Sequence, residues 1–167
     1  MEAVDFVTIR REHPATEAAS RLISELDAYL SPLYPQESQH GYNIEKLVER
    51  QVEFFVLYCD GEPAACGGVQ FFAGPQEKGG AYGELKPMYV RDRFRGRGFG
   101  KRLLEHLERL AMDRDVTTMR LETGTRQPEA VGLYEKAGYY RIPPFGDYWD
   151  DPVSLCYEKR LGDQHHG

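Results

Sequence analysis

Cysteine is scarce in this chain, and long apolar runs are absent. The three cysteines, Cys59, Cys66 and Cys156, are odd in number and form no C-x-x-C pair. We therefore expect reduced, packed thiols in a cytoplasmic protein, with a catalytic nucleophile as the alternative. The longest unbroken apolar run, residues 54–59, is too short to span a bilayer, and residues 1–5 do not begin a secretory signal. We expect no membrane partner.

An excess of positive charge is also missing. The chain has 27 acidic and 21 basic residues, which gives a formal net charge of −6. This balance argues against general nucleic-acid binding, so we expect no nucleic-acid partner. No group of histidine, cysteine and carboxylate residues has metal-ligand spacing, and no metal site is expected. A length of 167 residues with 41% hydrophobic residues suits one domain, residues 1–167, and leaves a homodimer open.

Apolar residues recur at helical spacing in some segments and alternate in others. We expect helices over residues 16–30, 43–47, 103–111 and 129–137. We expect strands over residues 6–10, 54–58, 64–72, 82–90, 117–122, 139–142 and 153–158. Asp60-Gly61 is a hairpin signal, and Pro87 predicts a bulge in its strand because proline has no N–H to donate. The interleaved elements predict an α/β (α+β) fold in which helices cover a mixed sheet.

A glycine-rich segment, residues 95–101, lies between a predicted strand and a predicted helix and has the sequence R-G-R-G-F-G-K. Glycines let backbone N–H groups close around a phosphate, and the helix N-terminus adds partial positive charge. The dinucleotide pattern G-x-G-x-x-G fails from either starting glycine, and the Walker pattern fails at Arg95. The pattern R-x-x-G-x-G fits. A solvated basic turn and an arginine-rich nucleic-acid contact are the alternatives.

The R-x-x-G-x-G spacing resembles the pyrophosphate-binding signature of the GNAT superfamily of N-acetyltransferases. Downstream, Ala130, Tyr134, Gly138 and Tyr139 match the A-x-x-x-Y-x-x-x-G-[FY] pattern of that family. The resemblance extends from about residue 53 to residue 159 and is thin in the first third. Residues 121–126 and 144–159 look like those of a bacterial subgroup that acetylates small molecules. The resemblance implies a mostly antiparallel sheet of about six to seven strands, about four flanking helices, and a splayed strand pair that binds acetyl-CoA.

The resemblance also implies which residues bind the cofactor. They are Met88, Tyr89, Val90, Arg95, Gly96, Arg97, Gly98, Phe99, Gly100, Lys101 and Gln127. Gln127 departs from the family pattern, because many members carry an asparagine there. Pro87 stands in the strand that would hold the pantetheine arm, at about the place where the family strand is itself bulged.

Acetyl transfer to an amine requires a general base, because an alkyl ammonium with a pKa of about 10 is not nucleophilic. Glu84 lies eleven residues before Arg95, a spacing similar to that of the catalytic glutamate in histone-modifying relatives. We expect Glu84 to be the base, directly or through water; the alternative is a carboxylate paired with Lys86. Tyr134 matches the family's proton donor to the thiolate, with a core aromatic as the alternative. Backbone N–H groups of residues 88–90 would stabilise the oxyanion.

Two cations are expected near the acceptor. Lys86 shares the face of Glu84, and Arg126 follows the next strand, so together they suit a carboxylate. The alternative is that Arg126 reaches the cofactor or solvent. Further expected substrate contacts are Tyr34, His40 and Trp149. We therefore expect an N-acetyltransferase that modifies a primary amine of a small, amino-acid-like molecule. The alternatives are a non-catalytic acyl-CoA sensor module and an acetyltransferase of protein amines.

Overall fold

The computed structural model describes residues 6–33, 43–74, 80–145 and 154–162. The strands are β1 Val7–Arg11, β2 Glu53–Cys59, β3 Glu62–Phe72, β4 Tyr82–Leu85, β5 Tyr89–Val90, β6 Thr118–Gly124, β7 Tyr140–Ile142 and β8 Ser154–Arg160. The α-helices are α1 Glu17–Leu30, α2 Ile44–Glu49, α3 Phe99–Asp113 and α4 Pro128–Lys136. Short 3-10 turns follow α1 at Ser31–Leu33 and precede α3 at Asp92–Phe94.

Local side-chain chemistry accounts for several helix ends. Thr16 caps α1 by accepting a hydrogen bond from the Ala19 N–H, and Asn43 caps α2 by accepting one from the Lys46 N–H. Gly138 follows the last residues of α4 with a φ of 99°, a left-handed conformation that glycine adopts without strain. The expected cap at Asn43 and the expected terminating glycine are confirmed.

The strands form one sheet in the order β1-β2-β3-β4-β6-β8-β7, with β5 beside β3. All neighbouring pairs are antiparallel except β4 and β6, which are parallel. The expected mixed, mostly antiparallel sheet with helices on it is confirmed. The described part of the chain has eight strands, because the single strand expected over residues 82–90 is divided in two.

A bulge at Pro87 causes this division. Leu85 lies opposite Val69 on β3, and Tyr89 lies opposite Cys66, so residues 86–88 face only residues 67–68. One residue is therefore extra on the side of β4 and β5. Proline is suited to this place because it has no N–H to contribute to a ladder. The expected bulge is confirmed.

Helices cover both faces of the sheet. On what we call the α1 face, helices α1 and α2 pack against alternate residues of β2 and β3, among them Phe54, Val56 and Cys66. On the α3 face, helices α3 and α4 pack against the intervening residues, including Leu57 and Ala65. In the described segments, no helix has the length and apolar character that crossing a membrane requires.

The cysteines belong to this packing. All three are buried, and none of them forms a disulfide bond within the described residues. Burial raises the pKa of the Cys66 thiol and of the Cys156 thiol, so both remain protonated at neutral pH. The expectation of reduced, packed thiols is confirmed.

Candidate active site

The site begins where two parallel strands separate. Strands β4 and β6 pair only from Gly83, opposite Met119, to Leu85, opposite Leu121. Beyond this point β5 stays with β3, while β6 continues to Gly124 along β8. Within the described residues no ladder joins β5 to β6, so the edges of these strands border a gap. The expected splayed strand pair is confirmed.

Val90 turns its main-chain polar groups toward this gap. The Arg91 N–H donates to the Ala64 carbonyl on β3 at 2.9 Å. The main-chain N–H and carbonyl groups of successive residues point to opposite sides of a strand. Those of Val90 therefore point away from β3. The Val90 carbonyl accepts a hydrogen bond from Arg95 Nε at 3.0 Å, which agrees with this direction. The gap therefore has a main-chain donor on its β5 side.

The glycine-rich turn leads from this edge into α3. Gly96 and Gly98 have φ angles of 80° and 79°, in the left-handed region. Gly98 is the N-cap of α3, and no described side chain caps the helix there. A Cβ atom added to either glycine would meet no atom within 4 Å, so the turn is open to solvent. A phosphate fits such a turn because it satisfies the first N–H groups of the helix.

Aromatic rings support the basic side chains of the turn. The guanidinium of Arg97 lies 5.6 Å from the Phe94 ring and 5.4 Å from the Phe99 ring. That of Arg95 lies 5.8 Å from the Tyr29 ring of α1. Phe99 itself is buried in the core. Lys101 is exposed on the first turn of α3.

A cleft of about 330 Å³ starts at the turn. Leu26 and Tyr29 of α1 form part of its wall, and Leu133 and Tyr134 of α4 form another part. Since α1 and α4 lie on opposite faces of the sheet, the cleft passes through the gap between β5 and β6. The expected cofactor residues on its wall are Met88, Tyr89, Val90, Arg95, Gly96, Gly100 and Gln127.

Gln127 joins β6 to α4. Its side-chain oxygen accepts a hydrogen bond from the Gly124 N–H at 3.2 Å, and Pro128 begins the helix. The departure from the family's asparagine is therefore compatible with an ordered start of α4, and Gln127 still reaches the cleft wall.

Tyr134 lies in the core and at the wall of the cleft. Its ring packs edge-on against Tyr139 with 5.8 Å between ring centres. Burial, and to a smaller extent the negative charge of Glu122, raise the pKa of its hydroxyl. The hydroxyl is therefore protonated at neutral pH, as a proton donor has to be. The core packing of Tyr134 is confirmed, and its role as a proton donor stays a prediction.

Glu84 and Lys86 form a buried ion pair at the end of β4. Lys86 Nζ lies 3.2 Å from Glu84 Oε2, and only 6% of Glu84 and 8% of Lys86 are exposed. Next to Glu84, on β6, Arg120 Nε pairs with Glu158 of β8 at 3.0 Å. The shared face of Glu84 and Lys86 and their pairing are confirmed. Neither side chain is among the residues that line the cleft.

Arg126 is exposed in the loop between β6 and α4. Its Nη1 atom donates to the Leu33 carbonyl at 2.7 Å, which ties this loop to the turn after α1. Lys86 and Arg126 follow the carboxyl ends of two parallel strands, β4 and β6. The remaining expected substrate residues, Tyr34, His40 and Trp149, lie outside the described residues.

Sequence reasoning missed the contribution of α1 to the site. Besides Leu26 and Tyr29, this helix supplies Glu25, whose Oε1 atom accepts hydrogen bonds from Tyr89 and Arg91. Helical periodicity placed the buried face of α1 but could not show which strand it meets. Among the described residues, no group of three or more His, Cys, Asp or Glu side chains is arranged to hold a metal ion.

Comparison with known proteins adds to this geometry. The model of the Acetyltransferase (GNAT) family matches residues 19–139. A protein named IAA acetyltransferase from Azospirillum brasilense is 40% identical over 155 residues, which cover 93% of this chain and 98% of that protein. The crystal structure of a proposed acyl-CoA N-acyltransferase from Klebsiella pneumoniae is 33% identical, with a TM-score of 0.75 over 93% of this chain and 97% of the other. The PaiA N-acetyltransferase of Thermoplasma acidophilum, solved with coenzyme A, shares the fold at 18% identity, with a TM-score of 0.72 over 93% and 99% of the two chains.

Proposed function

Because this chain belongs to the acetyltransferase (GNAT) family and is an acetyl-CoA-dependent N-acetyltransferase, we propose that it acetylates a primary amine of a small, amino-acid-like molecule. The observation that carries the proposal is the buried pair of Glu84 and Lys86, at the point where the pairing of β4 with β6 ends. A carboxylate there can take a proton from an ammonium group, and a cation beside it attracts a carboxylate.

The chain's residues suit the cofactor. When bound, acetyl-CoA supplies an acetyl thioester, and a thiol is released after transfer. The open turn of Gly96 and Gly98, with the uncapped start of α3, would hold the pyrophosphate. Arg95 and Arg97 add positive charge around it. The edge of residues 88–90 and the α4 wall would hold the pantetheine arm, with Gln127 at the rim.

Glu84 is the general base of this proposal. It takes a proton from the acceptor ammonium, directly or through a water molecule, and leaves the amine nucleophilic. Contact with Lys86 fixes the direction of the carboxylate, so the base needs little reorganisation. The Val90 N–H, which points into the gap, stabilises the negative charge that develops there during transfer.

Tyr134 is the proton donor of this proposal. Its buried hydroxyl lies on a wall of the cleft, and its raised pKa keeps it protonated at neutral pH. The released thiol has an ordinary pKa of about 8.5, below that of this hydroxyl, so the hydroxyl acts mainly by donating a hydrogen bond to the negative charge that develops on the sulfur. Tyr134 therefore assists the departure of the thiol to a modest extent.

Lys86 and Arg126 select the acceptor in this proposal. Both follow the carboxyl ends of parallel strands, and the Leu33 carbonyl orients the Arg126 guanidinium. A guanidinium binds a carboxylate in a bidentate fashion, which an ammonium does not. Two cations in this region favour an acceptor with both an amine and a carboxylate, and disfavour a polycation.

The test is a comparison of acceptors by thiol release from acetyl-CoA. Amino acids should give higher kcat/KM than their amides, and spermidine should react least. Arg126→Ala should remove the preference for the free acid, a loss of about tenfold or more. Arg21→Ala, a surface arginine paired with Glu17 on α1, is the matched control and should keep it.

Two outcomes contradict the proposal. Amides or spermidine could react as well as amino acids, or Arg126→Ala could preserve the preference; either result rules out the carboxylate site. Coenzyme A binding without thiol release for any amine would favour a sensor module instead.

A further inference from the structure

One carboxylate of α1 contacts two side chains at β5. Glu25 Oε1 accepts a hydrogen bond from the Tyr89 hydroxyl and another from Arg91 Nε, each at 3.1 Å. Arg91 also donates through Nη1 to the Pro63 carbonyl of β3 at 3.3 Å. The side chains of Glu25 and Arg91 are only 31% and 24% exposed, so water competes little for these bonds. We call Glu25, Tyr89 and Arg91 the Glu25 cluster.

Strand β5 has few other restraints. It pairs with β3 at two positions only, Val90 opposite Ala65 and Tyr89 opposite Cys66. The Pro87 bulge precedes it, and within the described residues no ladder joins its other edge to β6. A two-residue strand with one paired edge is weakly held by its backbone. The bonds from Glu25 add a restraint from the α1 face.

The strand held in this way forms an edge of the cofactor cleft. Tyr89 and Val90 line the cleft, and the Val90 carbonyl fixes Arg95 through its Nε atom. Helix α1 brings Leu26 and Tyr29 to the same cleft. The position of α1 relative to β5 therefore sets both the width of the cleft and the direction of Arg95.

We propose that Glu25 is a positioning residue for cofactor binding, which locks α1 to β5 through Tyr89 and Arg91 and so preforms the coenzyme A cleft. These bonds join protein groups to one another, so their loss adds an ordering cost to binding rather than to the chemical step. Burial and the bond to Glu25 raise the pKa of Tyr89 to about 12, which keeps this donor protonated. This inference depends on the use of acetyl-CoA by the family and does not depend on which amine is the acceptor.

The first measurement is the Kd of coenzyme A by calorimetry. Glu25→Ala should weaken binding by about tenfold or more, because two hydrogen bonds to a charged group are lost. Glu25→Gln retains an acceptor oxygen but no charge, so we expect a loss of about three- to tenfold. Asp27→Asn, an exposed carboxylate on the same helix, is the matched control and should bind like the wild type.

A second measurement requires no ligand. Hydrogen exchange of the Tyr89 and Arg91 amides should accelerate in Glu25→Ala, while the β6–β8 ladder keeps its protection. Tyr89→Phe should weaken binding in the wild-type background and have little further effect with Glu25→Ala, because the two changes break the same bond. In Glu25→Ala, the KM for acetyl-CoA should rise while kcat stays within about twofold of the wild-type value.

Several results would overturn the inference. Wild-type affinity in both Glu25 variants would do so, as would an equal loss in Asp27→Asn. Faster exchange across the whole sheet would reduce Glu25 to a stabilising residue. If Glu25→Ala fails to fold, the same comparison is made with Glu25→Gln, whose side chain has nearly the same size.

Discussion

Replacement of Glu84 by glutamine takes one charge out of a buried pair and leaves the other. Lys86 Nζ lies 3.2 Å from Glu84 Oε2, and the two side chains are 10% and 8% exposed. Removal of one partner from such a pair costs about 3–5 kcal/mol. The glutamine oxygen can still accept a bond from Lys86, so we expect the lower end, about 3 kcal/mol. In a domain of this length the melting temperature should fall by roughly 6–12 °C.

A second replacement separates structure from chemistry. Glu84→Gln with Lys86→Met removes both charges, and apolar replacement of a buried pair is often neutral for stability. The double variant should therefore regain most of the lost melting temperature. If Glu84 is the base, the double variant should still have a low kcat. Lys86→Met alone is the control for effects of the lysine on acceptor binding.

The decisive assay is kcat against pH, with stability measured on the same samples. Loss of a general base should lower kcat at neutral pH by about 10²–10⁴-fold. The deficit should shrink toward pH 10, where the acceptor amine loses its proton without help. A stable double variant with wild-type kcat and an unaltered profile would show that Glu84 is only a structural partner of Lys86.

Three further predictions concern the glycine-rich turn, Tyr134 and the buried thiols. Gly98→Glu should abolish the rise in melting temperature that acetyl-CoA produces. The control is Gly162→Glu, because Gly162 is also left-handed and open but lies after β8, and this variant should keep the rise. Equal loss in both variants would contradict the phosphate site. Tyr134→Phe should keep cofactor binding and lower turnover about ten- to a hundredfold. The control Tyr139→Phe, which loses a hydrogen bond to Glu108, should lower stability without lowering turnover. Unchanged turnover in Tyr134→Phe would show that Tyr134 has only a packing role. Since all three thiols are buried, a chromogenic disulfide reagent should react with them only after denaturation; rapid reaction of the native protein would contradict the packing.

Local chemistry made several features predictable. The Asn43 cap, the Gly138 terminator and the Pro87 bulge each follow from the bonding capacity of one residue, and the structure has all three. The bulge also shows a limit, because its consequence, a separate β5, depends on pairing with β3. Pairing with a distant strand also determines where a strand ends. Strand β6 extends to Gly124, two residues beyond the end predicted from the sequence, because β8 pairs with it throughout.

Long-range partners could not be predicted. The bonds from Glu25 span 64 and 66 residues of sequence, and the bond from Arg126 to Leu33 spans 93. Each depends on how α1 lies across the sheet, which helical periodicity does not fix. The motif identified the glycine-rich turn, and the walls of the cleft became visible only in the tertiary structure.

The passage of the cleft through the sheet has a kinetic consequence. Residues of α1 and of α4, on opposite faces of the sheet, line the cleft, so we expect the two substrates to enter from different sides. In that case neither has to leave before the other arrives, and we expect a ternary complex that forms in either order. Initial rates should then give intersecting rather than parallel lines in double-reciprocal plots. Free coenzyme A should compete with acetyl-CoA but not with the amine.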